Sequence, residues 1–399
     1  MASLRGMKKI SQSPVDPVFV QDPYPFYDHA RRFGDLFFWE DYNKVAAVSH
    51  RAVQTLLKDR RFGREKPTEL QTPGPDHLAA WQAIEDHSLL ELEPPRHTRL
   101  RSLVIRAFTS RSIAAMTPNI EQLCRDLIHE FPDEPFDLLQ TYCTQVPVIT
   151  ICRLLGVPEH MAPDLLQWSH DMVAMYQANR TRQTEDRAAQ ASAQFTEFLS
   201  NYIDLRRVEP GPDLITKLIA AEERGEKLSR DELIATCVLL LNAGHEATVH
   251  ALGNGVKTLL QTGTRPDVLD ENRIDGTVEE ILRYDPPLHM FTRYAYEQVD
   301  LFGHSFKRGD EVALLLGAAN RDPSVWADPN QFLPSRDVVT NTSFGAGLHF
   351  CVGAPLARLE MRIALKTLFD HCPSLRLEGD PDYSNTYHFH GLTRLMVTT

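Results

Sequence analysis

The sequence predicts a mainly α-helical fold with small β-sheets, in a single domain spanning 1–399, and three observations carry that prediction. Apolar residues recur at helical spacing through most of the chain. The β-prone runs are short and confined to the N-terminal part and the C-terminal third. No internal repeat, low-complexity tract or Gly/Ser linker divides the 399 residues.

The elements follow in chain order. Residues 1–20 read as a short flexible N-terminus, with neither the apolar core of a signal peptide nor a span of about 20 apolar residues. Leu36–Trp39 and Lys44–Ser49 flank Asp41-Tyr42-Asn43 as a hairpin. Leu123, Leu127 and Ile128 mark one helix face, and Leu154, Leu155 and Val157 close another helical segment at Gly156. Phe195, Phe198, Leu199, Tyr202 and Ile203 repeat at helical spacing, and Asp213 to Ala221 reads as helix. Arg230-Asp231-Glu232 opens a long helix that runs to about Leu260. Its stretch Leu233 to Val249 has almost no polar face, the pattern of a helix buried through the middle of a domain. Asn242, Gly244, His245 and Glu246 interrupt it and make it too polar for a membrane span. Arg293–Tyr296, Val299–Phe302, Ser305–Phe306 and Glu311–Leu315 suggest a small sheet, and Val352 to Cys372 a final helix.

Composition narrows the function classes. A net charge of −12 excludes a general nucleic-acid binder, which needs a basic surface. Local basic stretches remain at Arg96, Arg99, Arg101, Arg106 and Arg111, and at Arg358 and Arg362. They suit either an acidic protein partner or a solvated helix face. None of the 6 cysteines forms a C-x-x-C pair, so no zinc ribbon or thioredoxin-like motif is present. Free thiols fit a reducing cytoplasm, and the chain reads as cytoplasmic.

Two segments concentrate chemistry. Ser343-Phe344-Gly345-Ala346-Gly347-Leu348-His349-Phe350-Cys351-Val352-Gly353-Ala354 is a glycine-rich loop feeding a helix, with Cys351 at the junction. A thiolate there is stabilised by the free N–H groups and the dipole of the helix. The residues leave three roles open: metal ligand, nucleophile with His349 as base, or small buried hydrophobe. In the long helix, a buried Glu246 is costly unless hydrated or hydrogen-bonded, and is either functional or a structural acid with a partner.

The cysteine segment resembles the haem-binding signature of the cytochrome P450 superfamily in its soluble bacterial form. Further signatures stand in the family's order: Pro94-Pro95-Arg96-His97-Thr98-Arg99-Leu100-Arg101, Ala243-Gly244-His245-Glu246-Ala247-Thr248, Glu280-Ile281-Leu282-Arg283, Asn320-Arg321-Asp322-Pro323 and Phe332-Leu333-Pro334-Ser335-Arg336. The resemblance runs from about Asp22 to Met396. It implies the cytochrome P450 fold, with haem b between the long central helix and the cysteine loop, and Cys351 on the iron.

By the same resemblance, His97, Arg101, Arg293 and His349 hold the haem propionates, and Phe344, Gly345 and Gly353 shape the cysteine loop. Glu280, Arg283 and Arg336 form a bracing ion network. The catalytic positions are Glu246, Ala247 and Thr248. Leu240, Ala243, Gly244, Leu288, His289, Met290, Phe291, Tyr387, His388 and Phe389 line the substrate pocket, under a roof of Met172, Met175 and Tyr176. The implied activity is oxidation of a small, largely apolar substrate with O2. Electrons come from a separate ferredoxin or flavodoxin-like donor with its reductase. The alternatives are a peroxide-using or non-hydroxylating haem-thiolate enzyme, or a haem sensor.

One departure stands out. The family places a threonine after the acid of the central helix, where this chain has Ala247. Thr248 is about 100° further round. The missing hydroxyl leaves three routes: a substrate oxygen or ordered water completes the proton relay, peroxide replaces O2, or coupling is poor.

Overall fold

The central helix runs from Arg230 to Thr262. It starts in a reciprocal cap: the Ser229 hydroxyl accepts from Glu232 N–H, and the Glu232 carboxylate accepts from Ser229 N–H. It stops at Gly263, whose φ of 65° is left-handed. Leu233, Ile234, Cys237, Val238, Leu241, Val249, Leu252, Val256 and Leu259 are all buried, on every face. Such a helix needs neighbours all round, and it has them. Gln145–Leu155, Ala162–Val173, Arg182–Val208, Ile274–Tyr284 and Ala354–His371 pack against it. At Gly244 an added Cβ would lie 3.2 Å from the Ile151 side chain, so the glycine lets Gln145–Leu155 close in.

This is a computed structural model, and it describes residues 6–178, 180–223, 226–264, 267–337 and 339–399. The hairpin Leu36–Trp39 and Lys44–Ala47 forms as expected, antiparallel, with Leu36 opposite Ala47. The expected C-terminal sheet does not form as one unit. Glu311–Leu315 pairs in parallel with the N-terminal hairpin, Val312 opposite Val45, and antiparallel with Met290–Ala295. Val299–Leu301 and His304–Phe306 make a separate two-stranded ribbon. Such pairing joins residues far apart in sequence, and short-range patterning carries no record of it.

Part of the expected loose N-terminus is ordered. Lys9–Ile10 pairs with Phe38 and Trp39, and the short helix Pro17–Gln21 buries Phe19 and Val20. The Phe19 ring joins Phe26, Phe37, Trp39 and Tyr387 in an aromatic cluster beside the sheet. No described helix is long and apolar enough to cross a membrane.

The bracing network is built. Arg283 donates from Nε and Nη2 to Glu280 at 2.6 and 2.7 Å. Arg336 Nε lies 3.5 Å from Glu280 Oε2. Arg283 also donates to the carbonyls of Asn320, Pro329 and Gln331, tying the chain between 320 and 336 to the helix Ile274–Tyr284.

Candidate active site

A cavity of about 500 Å³ lies between the central helix and the cysteine loop. The loop turns at Gly345 and Gly347, with φ of 68° and 70°. At Gly347 a Cβ would sit 2.6 Å from the Leu57 carbonyl oxygen, so only glycine fits. Cys351 N–H donates to Phe344 O at 3.0 Å. Gly353 is the N-cap of Ala354–His371, and Cys351 sits just before it. Burial pushes the Cys351 thiol up, while the N–H groups of Gly353 and Ala354 and the charges of Arg101 and Arg358 pull it down. Those are the groups a metal-bound thiolate would keep as hydrogen-bond donors and counter-charges. A Cβ on Gly353 would be 3.8 Å from Cys351 Sγ, so the glycine also leaves that side of the sulfur free. Phe344, Cys351, Val352 and Gly353 border the cavity; Gly345 packs behind, where a Cβ would meet the Phe291 ring at 3.4 Å.

Cationic and imidazole groups form one rim. His97, Arg101, Arg293 and His349 all border the cavity. Arg101 Nη2 donates to Phe350 O at 2.7 Å and Arg293 Nη1 to Thr292 O at 2.8 Å. Arg293 is 3% exposed, and among the described residues no carboxylate lies within ion-pair distance of it. Burial first, then the charge of Arg64, brings Arg293 down to about 10. His97 and His349 stack with ring centroids 4.4 Å apart. His97 Nδ1 is buried with no partner, and burial, His349 and Arg101 push the ring down to about 4. His349 Nε2 lies 2.9 Å from Glu93 Oε1. The buried Arg293 and the half-buried Arg101 have no carboxylate partner among the described residues, and the two carboxylates of a haem fit that need.

The opposite wall is the central helix. Leu240, Ala243, Gly244, Ala247 and Thr248 border the cavity, and the Thr248 hydroxyl donates back to Gly244 O at 3.3 Å. Glu246 does not border it. It points to the helix Ala162–Val173, where its Oε2 lies 3.3 Å from His170 Nε2 on a half-exposed ring. The hydrogen bond to Glu246 raises the His170 pKa. One residue is about 100° of helix, and that turns the acid away when Ala247 faces in. The side chain of His245 lies outside the described residues.

Leu288, Met290, Phe291, His388, Phe389 and Tyr176 also line the cavity. His289 does not. Next to two lining residues on an extended segment, it points the other way. It is fully buried, with Nδ1 2.8 Å from the Tyr27 hydroxyl. His289, Asp285 and His390 bring ligand-type atoms within 4.8 Å of one another. Lys257 already lies 3.3 Å from Asp285 Oδ2, and its charge opposes a cation there. Tyr387 likewise leaves the pocket, bonding Tyr27 at 2.8 Å inside the aromatic cluster. Met172 is buried in the helical core under Asn242, and Met175 packs on Leu78 and Ala188. Of the expected roof only Tyr176 remains, its hydroxyl donating to Glu85 at 3.1 Å.

Sequence reasoning missed Ile151, Arg64, Thr292 and Glu360 on the cavity wall, and Glu93 behind it. One signal was present for Glu360: an acid at helical spacing between Leu356 and Ala364, both buried.

A cysteine placed before a helix N-terminus, under a helix-walled cavity with unmatched cations, defines a haem-thiolate type of site. The family model for cytochrome P450 matches residues 25–273 and 273–389, and the chain belongs to that family, as a cytochrome P450 monooxygenase. Cytochrome P450 monooxygenase PikC of Streptomyces venezuelae is 36% identical, over 91% of this chain and 87% of that protein. 6-Deoxyerythronolide B hydroxylase of Saccharopolyspora erythraea is 38% identical, over 73% of this chain and 72% of its own. Among solved structures, P450BioI in complex with a hexadec-9Z-enoic acid ligated acyl carrier protein superposes with a TM-score of 0.90 at 31% identity. The match covers 96% of this chain and 99% of that one. Membership implies haem.

Proposed function

We propose that this monooxygenase binds haem b through Cys351 and hydroxylates, or otherwise oxidises, a small and largely apolar organic substrate. Electrons come from a separate ferredoxin or flavodoxin-like donor with its reductase, in the cytoplasm. The observation that carries this reading is Cys351 beneath the cavity, opposite Ala247 and Thr248. The bound haem supplies the oxygen chemistry, favoured by the electron push of a thiolate ligand. The chain's own residues do the rest. Arg101, Arg293, His97 and His349 hold the propionates, and Leu240, Ala243, Leu288 and Phe291 keep water from the substrate. Arg99 and Arg358 are engaged by Glu232 and Glu279, which leaves exposed Arg111 and Arg362 for an acidic electron donor.

Ala247 shapes the substrate. A methyl group neither donates a proton nor fixes a water, so the substrate carries an oxygen function near the carbon that is oxidised. A screen for ligands that displace iron-bound water, read as a shift of the haem spectrum, identifies compounds to test. Ala247→Thr then improves product per reduced nicotinamide for an analogue lacking that oxygen more than for the substrate itself. Equal coupling by the parent enzyme with both compounds contradicts the reading. Good turnover of both with peroxide alone favours instead a peroxide-using enzyme, since protons then arrive on the oxidant.

A further inference from the structure

Away from the rim beside Cys351, most charged and polar side chains on the cavity wall are engaged. Arg64 donates to the Glu91 carboxylate, and from Nη1 to Thr292 Oγ1 at 3.4 Å. The Tyr176 hydroxyl donates to Glu85 at 3.1 Å. Lys44 lies 2.9 Å from Glu311. His388 is not engaged. Its ring is half-buried, borders the cavity, and has no side-chain hydrogen bond to any described residue. Two rings fix its orientation. Tyr176 stacks on it with centroids 6.3 Å and planes 20° apart, and Phe389 meets it edge-on at 5.1 Å. The backbone beneath is tied down too: His388 O accepts from His289 N–H at 3.3 Å, and Phe389 bridges to Leu288. An imidazole held on a cavity wall with both nitrogens unused is a polar group that the protein itself does not answer. Arg64 adds a second, because its Nε is buried with no partner.

The charges nearby decide what His388 can meet. Arg64 and Glu91 cancel one another. Burial first, then the Glu91 charge, pushes the Glu85 carboxyl up to about 8, so it is mostly a neutral acid at neutral pH. Burial first, then the Arg64 charge, pushes His388 down to about 4, so its ring is neutral as well. The local sum is zero. A carboxylate arriving here finds Arg64 already answered by Glu91. An ammonium meets Arg64, while Glu85 and Glu91 do not border the cavity. A neutral oxygen meets neither cost, and it can accept from a His388 N–H and from Arg64 Nε.

We propose that His388 is a specificity-determining residue that, with Arg64, binds an uncharged oxygen acceptor of the substrate, a ketone or ester carbonyl, and disfavours carboxylates and amines. The proposal rests on the monooxygenase reading and narrows its substrate class to neutral compounds that carry a carbonyl group. The remaining wall, with Leu240, Ala243 and Ile151, is apolar and takes the hydrocarbon part. A single well-placed polar group in such a pocket orients the whole ligand, and so decides which carbon is presented for oxidation.

The test uses the haem-loaded enzyme and its His388→Phe and His388→Gln variants at neutral pH. Each is titrated with decane, 2-decanone, decanoate and decyltrimethylammonium, and the reading is the shift of the haem spectrum as iron-bound water is displaced. The parent binds 2-decanone roughly tenfold more tightly than decane, and more tightly than either charged ligand. His388→Phe loses that preference while its affinity for decane stays at the parent level. His388→Gln keeps part of the preference, because an amide N–H still donates. A full preference for the ketone retained by His388→Phe overturns the proposal, and so does decanoate or decyltrimethylammonium binding ahead of 2-decanone in the parent. Should His388→Phe not take up haem, the ranking of the four ligands by the parent and by His388→Gln decides, and equal binding of decane and 2-decanone by the parent overturns it. Failure of the monooxygenase reading shows separately, as a parent without the thiolate-type band when reduced and carbon-monoxide-bound, and that result overturns both.

Discussion

Glu280 and Glu360 are the same residue type on helices that pack together, 4% and 1% exposed, yet their surroundings are opposite. Glu280 is answered at every oxygen: by Arg283 twice, by Leu333 N–H at 2.8 Å, and by the charge of Arg336. Glu360 is answered by no cation, and only the Thr150 hydroxyl stands beside it to stabilise its charge. A buried acid with its full set of partners is a fixed charge that ties distant segments together. A buried acid without them holds its proton, because its ionised form would lose the solvation of water and gain too little in return. The first lies away from the cavity and the second borders it.

The comparison can be broken most forcefully at Glu280. Glu280→Ala leaves Arg283 buried and unmatched, and is expected to cost about 3–5 kcal/mol, seen as a lower urea midpoint. An unchanged midpoint would mean that the network is ornamental. Arg293→Leu comes next. It removes a buried cation that has no protein carboxylate, so folding survives and haem affinity falls, by about 2–5 kcal/mol. Haem transfer to a competing haem-binding protein measures it, and unchanged transfer would remove Arg293 from the propionate site.

Glu360 gives a pH dependence of definite sign. Its folded pKa is raised, so the stability linked to its proton is complete below the ordinary glutamate range and is lost as pH rises through the raised value. Glu360→Gln is therefore more resistant to urea than the parent at alkaline pH. Parallel curves for the two proteins would show that the carboxyl is ionised throughout. The smallest effect belongs to Glu246. Its partner His170 is half exposed, so His170→Ala shifts stability by less than about 1 kcal/mol. The shift fades as pH rises through the raised His170 pKa. A larger or pH-independent loss would make this pair part of the scaffold.

How far the sequence could be read follows the same division between local and distant causes. The central helix, the Gly156 stop and the N-terminal hairpin are local: spacing and turn residues dictate them, and they form where expected, the central helix ending at Thr262, close to the anticipated Leu260. The joining of Glu311–Leu315 to Lys44–Ala47 is not local, and short-range patterning did not anticipate it. In the site, the cysteine loop was legible as a glycine-rich turn into a helix, whereas the cationic rim was legible only through the family resemblance. His289 and Tyr387 were misplaced because neighbours in sequence need not share a face, and alternation along the extended segment turns His289 away from Leu288 and Met290. Glu360 was overlooked because its burial beside the cavity, away from any cation, is set by packing between helices distant in sequence.

The central claim is that Cys351 is the residue whose thiolate would hold the haem iron of this monooxygenase. The most direct measurement is the spectrum of the reduced, carbon-monoxide-bound protein for the parent and for Cys351→Ser. The thiolate-type band is predicted in the parent and absent in the variant, together with loss of O2-dependent product formation. A thiolate-type band retained by Cys351→Ser would place another residue on the iron and contradict the account.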